Sequence, residues 1–175
     1  LIHAFTHADE PGFEKVSLPY IQRLNRRVTI SKKGKKDLIE QYEKMKIPGV
    51  LTNRIEVIYN STSFTCSEIP NKATDVFNVV YVGRNSPEKR ISLMGKIATE
   101  LKKISEEFNF IFVGEDLELG VNPEDCESCI FTGNITELEE LEQIYRSAHV
   151  VLIASTREGI PMVLVEGMIY GAVPV

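Results

Sequence analysis

Residues 77–90 read FNVVYVGRNSPEKR. Phe77 to Val82 are mostly β-branched or aromatic, as a strand requires, and Gly83 closes the run. A polar loop with three cations follows, and then a long amphipathic pattern from Ile91 to Phe108 that predicts a helix. The same alternation repeats to the end of the chain. Strands are predicted at Phe110 to Val113 closed by Gly114, Cys129 to Thr132 closed by Gly133, and Val150 to Ala154 ended by Ser155. Helices are predicted over Glu137 to Ala148 and Pro161 to Tyr170, with a further strand starting at Ala172 to Val175. Short apolar strands alternating with helices give an α/β fold with a parallel sheet and helices on both faces. Such sheets bind ligands at the carboxyl ends of their strands, where Gly83, Gly114, Gly133 and Ser155 all fall.

Upstream of residue 75 the pattern is mixed. Leu1 to Phe5 reads as a short strand, Glu14 to Arg27 as a helix despite Pro19, and Arg27 to Ile30 as a strand. Ser31 suits the N-cap of a helix over Lys32 to Lys46, which Pro48-Gly49 is expected to end. Ile55 to Tyr59 reads as a strand, and residues 60–75 as a Ser-, Thr-, Asn- and Pro-rich linker. The predicted organisation is thus a short piece of another domain at 1–50, a linking segment at 51–75 and an α/β domain at 76–175.

Composition narrows the function. Of 175 residues, 43% are hydrophobic and 26% charged, an ordinary balance for a globular protein. No apolar run reaches the roughly 18 residues of a membrane span. The chain begins at Leu1 rather than Met without a signal pattern, which reads as a piece of a longer protein. The net charge of −5 divides into +6 over Arg23–Lys46 and −11 elsewhere, which argues against a nucleic-acid footprint over the whole domain. The basic segment reads as a solvated helix face, with peripheral contact to anionic lipid or another domain as the alternative. Three cysteines make a disulfide framework unfavourable and point to a reducing, cytoplasmic compartment. The lone Cys126-x-x-Cys129 lacks the further ligands of a zinc site and reads as two small residues on a loop and the strand after it.

Two stretches carry chemistry. In the first, Glu158-Gly159-Ile160-Pro161 precedes a helix, with Pro161 expected as its first residue and Glu166 inside it. The helix N-terminus offers a positive dipole end and free amides, those of Ile160, Met162 and Val163, to an anion. Glu166, about two turns in, is expected to lean back and accept hydrogen bonds from vicinal hydroxyls such as a ribose's. A glutamate inside the apolar run Met162 to Ile169 would be costly if buried without a partner. In the second stretch, Arg84 can grip phosphate oxygens as a fork and Lys89 can act as a point charge. Taken alone, that loop reads rather as a solvated charge run. Asp116 and Glu118 read as an exposed loop rather than a metal site.

In order, these motifs are G-R-x-x-x-E-K from Gly83, V-G-E from Val113, F-T-G-N-I from Phe131, and A-S-x-x-E-G-x-P-x-x-x-x-E-G-M-x-x-G-x-x-P-V from Ala154 to Val175, x being any residue. Together they resemble the C-terminal, Rossmann-like nucleotide-sugar domain of the group-1 (family 4) glycosyltransferases of GT-B fold, over about Val79 to Val175. The E-x7-E spacing, Glu158 to Glu166, is the most specific part. The resemblance implies that Arg84 and Lys89, in the loop after Gly83, neutralise the donor diphosphate. It implies that Glu158, Gly159 and the backbone beyond face the donor sugar, that Glu166 holds the ribose, and that Asn134 and Ile135 lie near the base. It implies a retaining transfer from a nucleotide-diphosphate sugar to a glycan or lipid-linked acceptor, with no required metal or cofactor, in polysaccharide synthesis. It also implies a histidine near the sugar, for which His7 is the better placed and His3 the weaker.

The chain departs from the pattern in three ways. It stops in mid-pattern at Val175, before the further strand, glycine-rich loop and C-terminal helix of the family, so the chain alone is expected to have little transferase activity. Gly167 stands where the family usually has alanine, and Asn60-Ser61 where it often has asparagine-glycine. The competing readings are a sugar-nucleotide 2-epimerase of the same architecture, a nucleotide-sugar-binding module without catalysis, and a generic dinucleotide domain. The last lacks G-x-G-x-x-G after its first strand.

Overall fold

The computed structural model describes residues 18–156 and 158–175. The chain divides into two compact units, Leu1–Ser61 with Glu158–Ile160, and Thr62–Arg157 with Pro161–Val175.

In the first unit, strands β1 (Arg27–Thr29) and β2 (Ile55–Val57) pair in parallel, with helices α1 (Lys32–Lys44) and α2 (Gly49–Thr52) between them. Ile21, Leu38, Tyr42, Leu51 and Ile55 form its core. Ser31 caps α1 as expected, accepting from the Gly34 amide at 2.9 Å. The helix ends earlier than Pro48-Gly49 and by another device. Lys46 takes a left-handed φ of 55°, which lets Ile47 N–H reach Tyr42 O at 2.9 Å and Lys46 N–H reach Glu43 O at 3.0 Å. Pro48 is instead the N-cap of α2. The helix expected over Glu14 to Arg27 is, in its described part, a 3-10 turn, Leu18–Arg23. A proline has no N–H to give and restricts the residue before it, so Pro19 favours a short turn over a continuous helix. Part of the basic segment is paired: Lys33 with Asp37, Lys36 with Glu40, Arg26 with Glu56, and the buried Arg27 with the Tyr42 hydroxyl at 2.6 Å. No helix among the described residues is long and apolar enough to cross a membrane.

The second unit is built on five parallel strands in the order β5-β4-β3-β6-β7. These are β3 (Phe77–Val82), β4 (Phe108–Val113), β5 (Ile130–Gly133), β6 (Val150–Val151) and β7 (Val173–Pro174), with helices α3 (Ile91–Ile104), α4 (Leu138–Ser147) and α5 (Met162–Ile169). The helix expected to reach Phe108 stops at Ile104, because β4 claims Phe108 as the register partner of Phe77. Period-two alternation sorts β3 between two cores. Val79 and Tyr81 join Met94, Ala98, Phe110 and Phe112 on one face, while Val80 joins Val113, Tyr145, Val151 and Tyr170 on the other. Gly167 lies against β6, where an added Cβ would come 2.4 Å from the Val151 Cγ2.

Residues 62–76 have no regular structure, yet side chains pin them along the second unit. Phe64 stands edge-on to Tyr145 and Tyr170, Tyr170 donates to Thr65 O at 3.4 Å, and Lys72 donates to Ala148 O at the end of α4. His149 accepts the Asn78 amide at Nδ1, 3.1 Å, and so offers Nε2–H to Ala73 O at 2.8 Å.

Candidate functional site

The strand order itself marks a place for a ligand. From β3 the chain steps outward through β4 to β5, then crosses back through α4 to place β6 on the other side of β3. At such a reversal of strand order, the rule for parallel sheets places a ligand in the crevice between the carboxyl ends of the two strands, here β3 and β6.

The loop after β3, Gly83 to Arg90, is fastened to the loops of both neighbouring strands. Toward β6, Thr156 N–H donates to Glu88 O at 2.9 Å and Arg90 Nε donates to Ala154 O. Toward β4, Asn85 Nδ2 donates to Asp116 O at 2.8 Å. Beneath it, the buried Tyr81 hydroxyl donates to Arg84 O at 3.1 Å. Gly83 leaves room for that ring, since a Cβ there would sit 2.6 Å from the Tyr81 oxygen. Gly114 allows the ends of β3 and β4 to close. Its φ is 151°, and a Cβ would lie 1.9 Å from Gly83 O.

Of the loop's three cations, Arg90 is thus spent on holding the loop, which the charge pattern did not reveal. Arg84 is 77% exposed and meets Glu88 Oε1 at 3.2 Å. The Glu88 carboxyl is held below the usual carboxylate range, first by its own backbone amide and then by neighbouring side chains. Lys89 is half-buried in the 3-10 turn Pro87–Lys89.

The second stretch differs in detail from its reading. Pro161 is the N-cap, with ψ 104°, and Met162 is the first helical residue. Leu164 N–H turns back to Pro161 O at 3.1 Å, so the Met162 and Val163 amides are the ones the helix leaves open. Glu166 lies four residues past Met162, about 6 Å along the axis rather than two turns. Its carboxylate is half-buried and turns toward α4, where the Tyr145 hydroxyl donates to Oε2 at 2.7 Å. The partner that a glutamate in an apolar run demands is therefore a tyrosine 21 residues upstream. Burial first, and Glu166 second, push the Tyr145 phenol well above its ordinary range, so it stays a donor.

Ile135 and Val163 pack against the core cluster that contains Tyr145, on the side of the sheet where Glu166 is held. Asn134 is exposed just past Gly133, whose φ is 75°. Glu158 and Gly159 are exposed and Ile160 half-buried, and all three belong to the first unit. His3 and His7 lie outside the described residues. Cys126 ends up in a 3-10 turn and Cys129 just before β5, both as free thiols. Burial, then Cys126 and Asp125, pushes Cys129 up to about 12, so it remains a protonated thiol. Among the described residues no cluster of three or more His, Cys, Asp or Glu could hold a metal ion.

Comparison with known proteins agrees with this architecture. The family model "Glycosyl transferases group 1" matches residues 76–175. No curated protein matches the chain by sequence. Among solved structures, a point mutant of S. aureus TarM in complex with fondaparinux, alpha-GlcNAc-glycerol and UDP superposes with a TM-score of 0.72 at 16% identity, over 99% of this chain and 36% of that one. Anabaena HepE in complex with UDP and glucose gives 0.70 at 17%, over 99% and 52%. The lipopolysaccharide outer core galactosyltransferase WaaB gives 0.66 at 21%, over 97% and 46%. The chain thus spans roughly a third to a half of the length of these proteins. At such identities the likeness speaks for the fold, a GT-B glycosyltransferase fold, and the family model speaks for the rest: this chain belongs to the group 1 glycosyl transferases.

Proposed function

We propose that the crevice between β3 and β6 is the donor half-site of a retaining glycosyltransferase, and that it holds the diphosphate of a nucleotide-diphosphate sugar. The observation that carries this reading is the doubly fastened loop. Gly83 to Arg90 is tied to the loop after β6 through Glu88 O and Arg90, which leaves Arg84 exposed at its start.

Breaking the bond between an anomeric carbon and a diphosphate separates an oxocarbenium-like sugar from a leaving group that gains negative charge. Fixed cations and amides aimed at that charge lower the barrier without reorganising. Arg84 releases Glu88 and forks onto the phosphate oxygens, Lys89 adds a point charge, and the Met162 and Val163 amides supply the helix end. Glu166 receives the ribose hydroxyls, and Ile135 with Asn134 borders the base. By the resemblance of the motif, Glu158, Gly159 and Ile160 are the candidates for the donor sugar, with His7 as the candidate histidine. The acceptor is a glycan or a lipid-linked sugar. That two of the similar structures hold UDP favours a uridine nucleotide as the first donor to try.

Calorimetric titration with UDP, GDP and ADP tests the reading. One of them should bind saturably. Arg84→Ala should weaken it by about tenfold or more, the scale of a lost charge-assisted hydrogen bond. Glu166→Ala should weaken it similarly. Binding that neither substitution touches would move the site elsewhere.

A further inference from the structure

A carboxylate on the apolar helix α5 has two requirements that pull apart. Held against the core it needs a donor, and as a ligand group it needs a free oxygen pointing outward. The geometry at Glu166 meets the first with one oxygen and leaves the other for the second. Oε2 accepts from the Tyr145 hydroxyl at 2.7 Å, while Oε1 has no hydrogen bond among the described residues. A carboxylate offers about four lone-pair sites, so one donor leaves most of its accepting capacity open.

Tyr145 is built to hold still. It is 0% exposed and comes from α4, a different element from the one it serves. Its ring stacks on Tyr170 with centroids 6.5 Å apart and planes 8° from parallel, and it receives the edge of Phe64 at 5.7 Å. Tyr170 is in turn covered by the Arg146 guanidinium at 5.0 Å. A donor fixed this firmly restrains the rotamer of a half-buried glutamate, which otherwise has three free torsions. If the bond served only to join α4 to α5, an apolar pair would do so without desolvating a charge.

We propose that Tyr145 is a positioning residue: it fixes the Glu166 carboxylate through Oε2 so that Oε1 meets the vicinal ribose hydroxyls of the nucleotide. This rests on the donor-site reading above and extends it to a residue outside the family's motif. The expected consequence concerns ribose hydroxyls in particular, and not nucleotide affinity in general.

The test measures discrimination. UDP, GDP and ADP are each titrated into the 175-residue chain beside their 2′,3′-dideoxy counterparts, and the tightest pair is kept. The wild-type chain should bind the ribonucleotide about tenfold more tightly than the dideoxy form, as loss of hydrogen bonds to a charged group dictates. Tyr145→Phe keeps the ring and its stacking but removes the donor. Its discrimination should fall to threefold or less, with the dideoxy nucleotide bound as before. Glu166→Gln added to Tyr145→Phe should lower discrimination little further, because the two residues act as one unit. Tyr170→Phe, which loses only the hydroxyl near Thr65, should keep full discrimination. A Tyr145→Phe chain that melts lower yet discriminates like wild type would make the bond merely structural and overturn the proposal. A wild-type chain that binds but does not discriminate would also overturn it, while leaving the diphosphate reading standing. No binding of any of the three would bring down the donor-site reading, and this proposal with it.

Discussion

The two halves of the site are held by different means. The loop Gly83 to Arg90 is fixed through main-chain acceptors. Glu88 O, Arg84 O, Ala154 O and Asp116 O all accept bonds that pin it, and two glycines admit the close approaches. The α5 half is fixed through side chains, by Tyr145 on Glu166 and by Val151 filling the notch at Gly167. A main-chain scaffold leaves its signature locally, in glycines and polar loop residues. A side-chain scaffold depends on partners far away in sequence. The first half should therefore fail when backbone closure fails, and the second when a remote partner is changed.

The largest effect is expected at Gly114. A Cβ there would overlap Gly83 O at 1.9 Å in a backbone conformation, φ 151°, that side chains rarely adopt. Gly114→Ala must push β4 away from β3 at their carboxyl ends. A loss of about 3 kcal/mol or more in unfolding free energy is expected, the range of strain plus overpacking. Gly133→Ala supplies the reference. Its φ of 75° is also left-handed, but nothing lies within 4 Å of its added Cβ, so only the conformational cost of about 1–2 kcal/mol remains. Denaturant unfolding of both variants reads the difference. Equal losses would mean that the closure of β3 on β4 carries no special weight.

A smaller effect, and one peculiar to the side-chain half, is expected at Gly167. The family's usual alanine would bring a Cβ 2.4 Å from Val151 Cγ2. Gly167→Ala should cost about 1–3 kcal/mol as an overpacked core does. Val151→Ala should cost a similar amount as a cavity, and the double variant less than the sum, because each relieves the other. Strict additivity in denaturant unfolding would show that the notch and Val151 are not matched. What reads in the sequence as a departure from the family is, in this fold, one side of a fitted pair.

This contrast also explains what could be read without coordinates. The five strands were legible, though not all their bounds, because a parallel sheet buries both faces of short β-branched and aromatic runs, as at 77–82 and 110–113. Glu166 was legible as a charge that needs a partner, but Tyr145 was not. A tyrosine within an amphipathic helix reads only as core, and no local pattern says which side chain its hydroxyl will meet. Arg90 was hidden for a similar reason. Three cations in one loop look alike until the fold brings the Ala154 carbonyl to one of them. The end of α1 was misplaced because the sequence offered Pro48-Gly49, a conventional stop, whereas Lys46 took the left-handed position itself.

The smallest effect concerns the one ion pair that must open for the loop to work as proposed. Arg84 meets Glu88 at 3.2 Å with both side chains accessible to water. An exposed pair four residues apart is weak, so the fold should hardly notice its loss. The ligand should notice it in the opposite sense. A diphosphate has to take the guanidinium from Glu88, and removing that competitor's charge lowers the cost of the exchange. Glu88→Gln should leave the melting temperature nearly unchanged, because Glu88 O, which holds Thr156, is main chain and remains. It should tighten nucleotide-diphosphate binding by about two- to fivefold, the range set by a surface ion pair. The gain should fade at high salt, where the competing charge is already screened. Weaker binding by Glu88→Gln in calorimetry would instead mean that Glu88 orients Arg84 toward the phosphates. The ligand group of the first half-site would then be aimed by a side-chain partner, as Glu166 is by Tyr145, and the difference between the two halves would narrow to that extent.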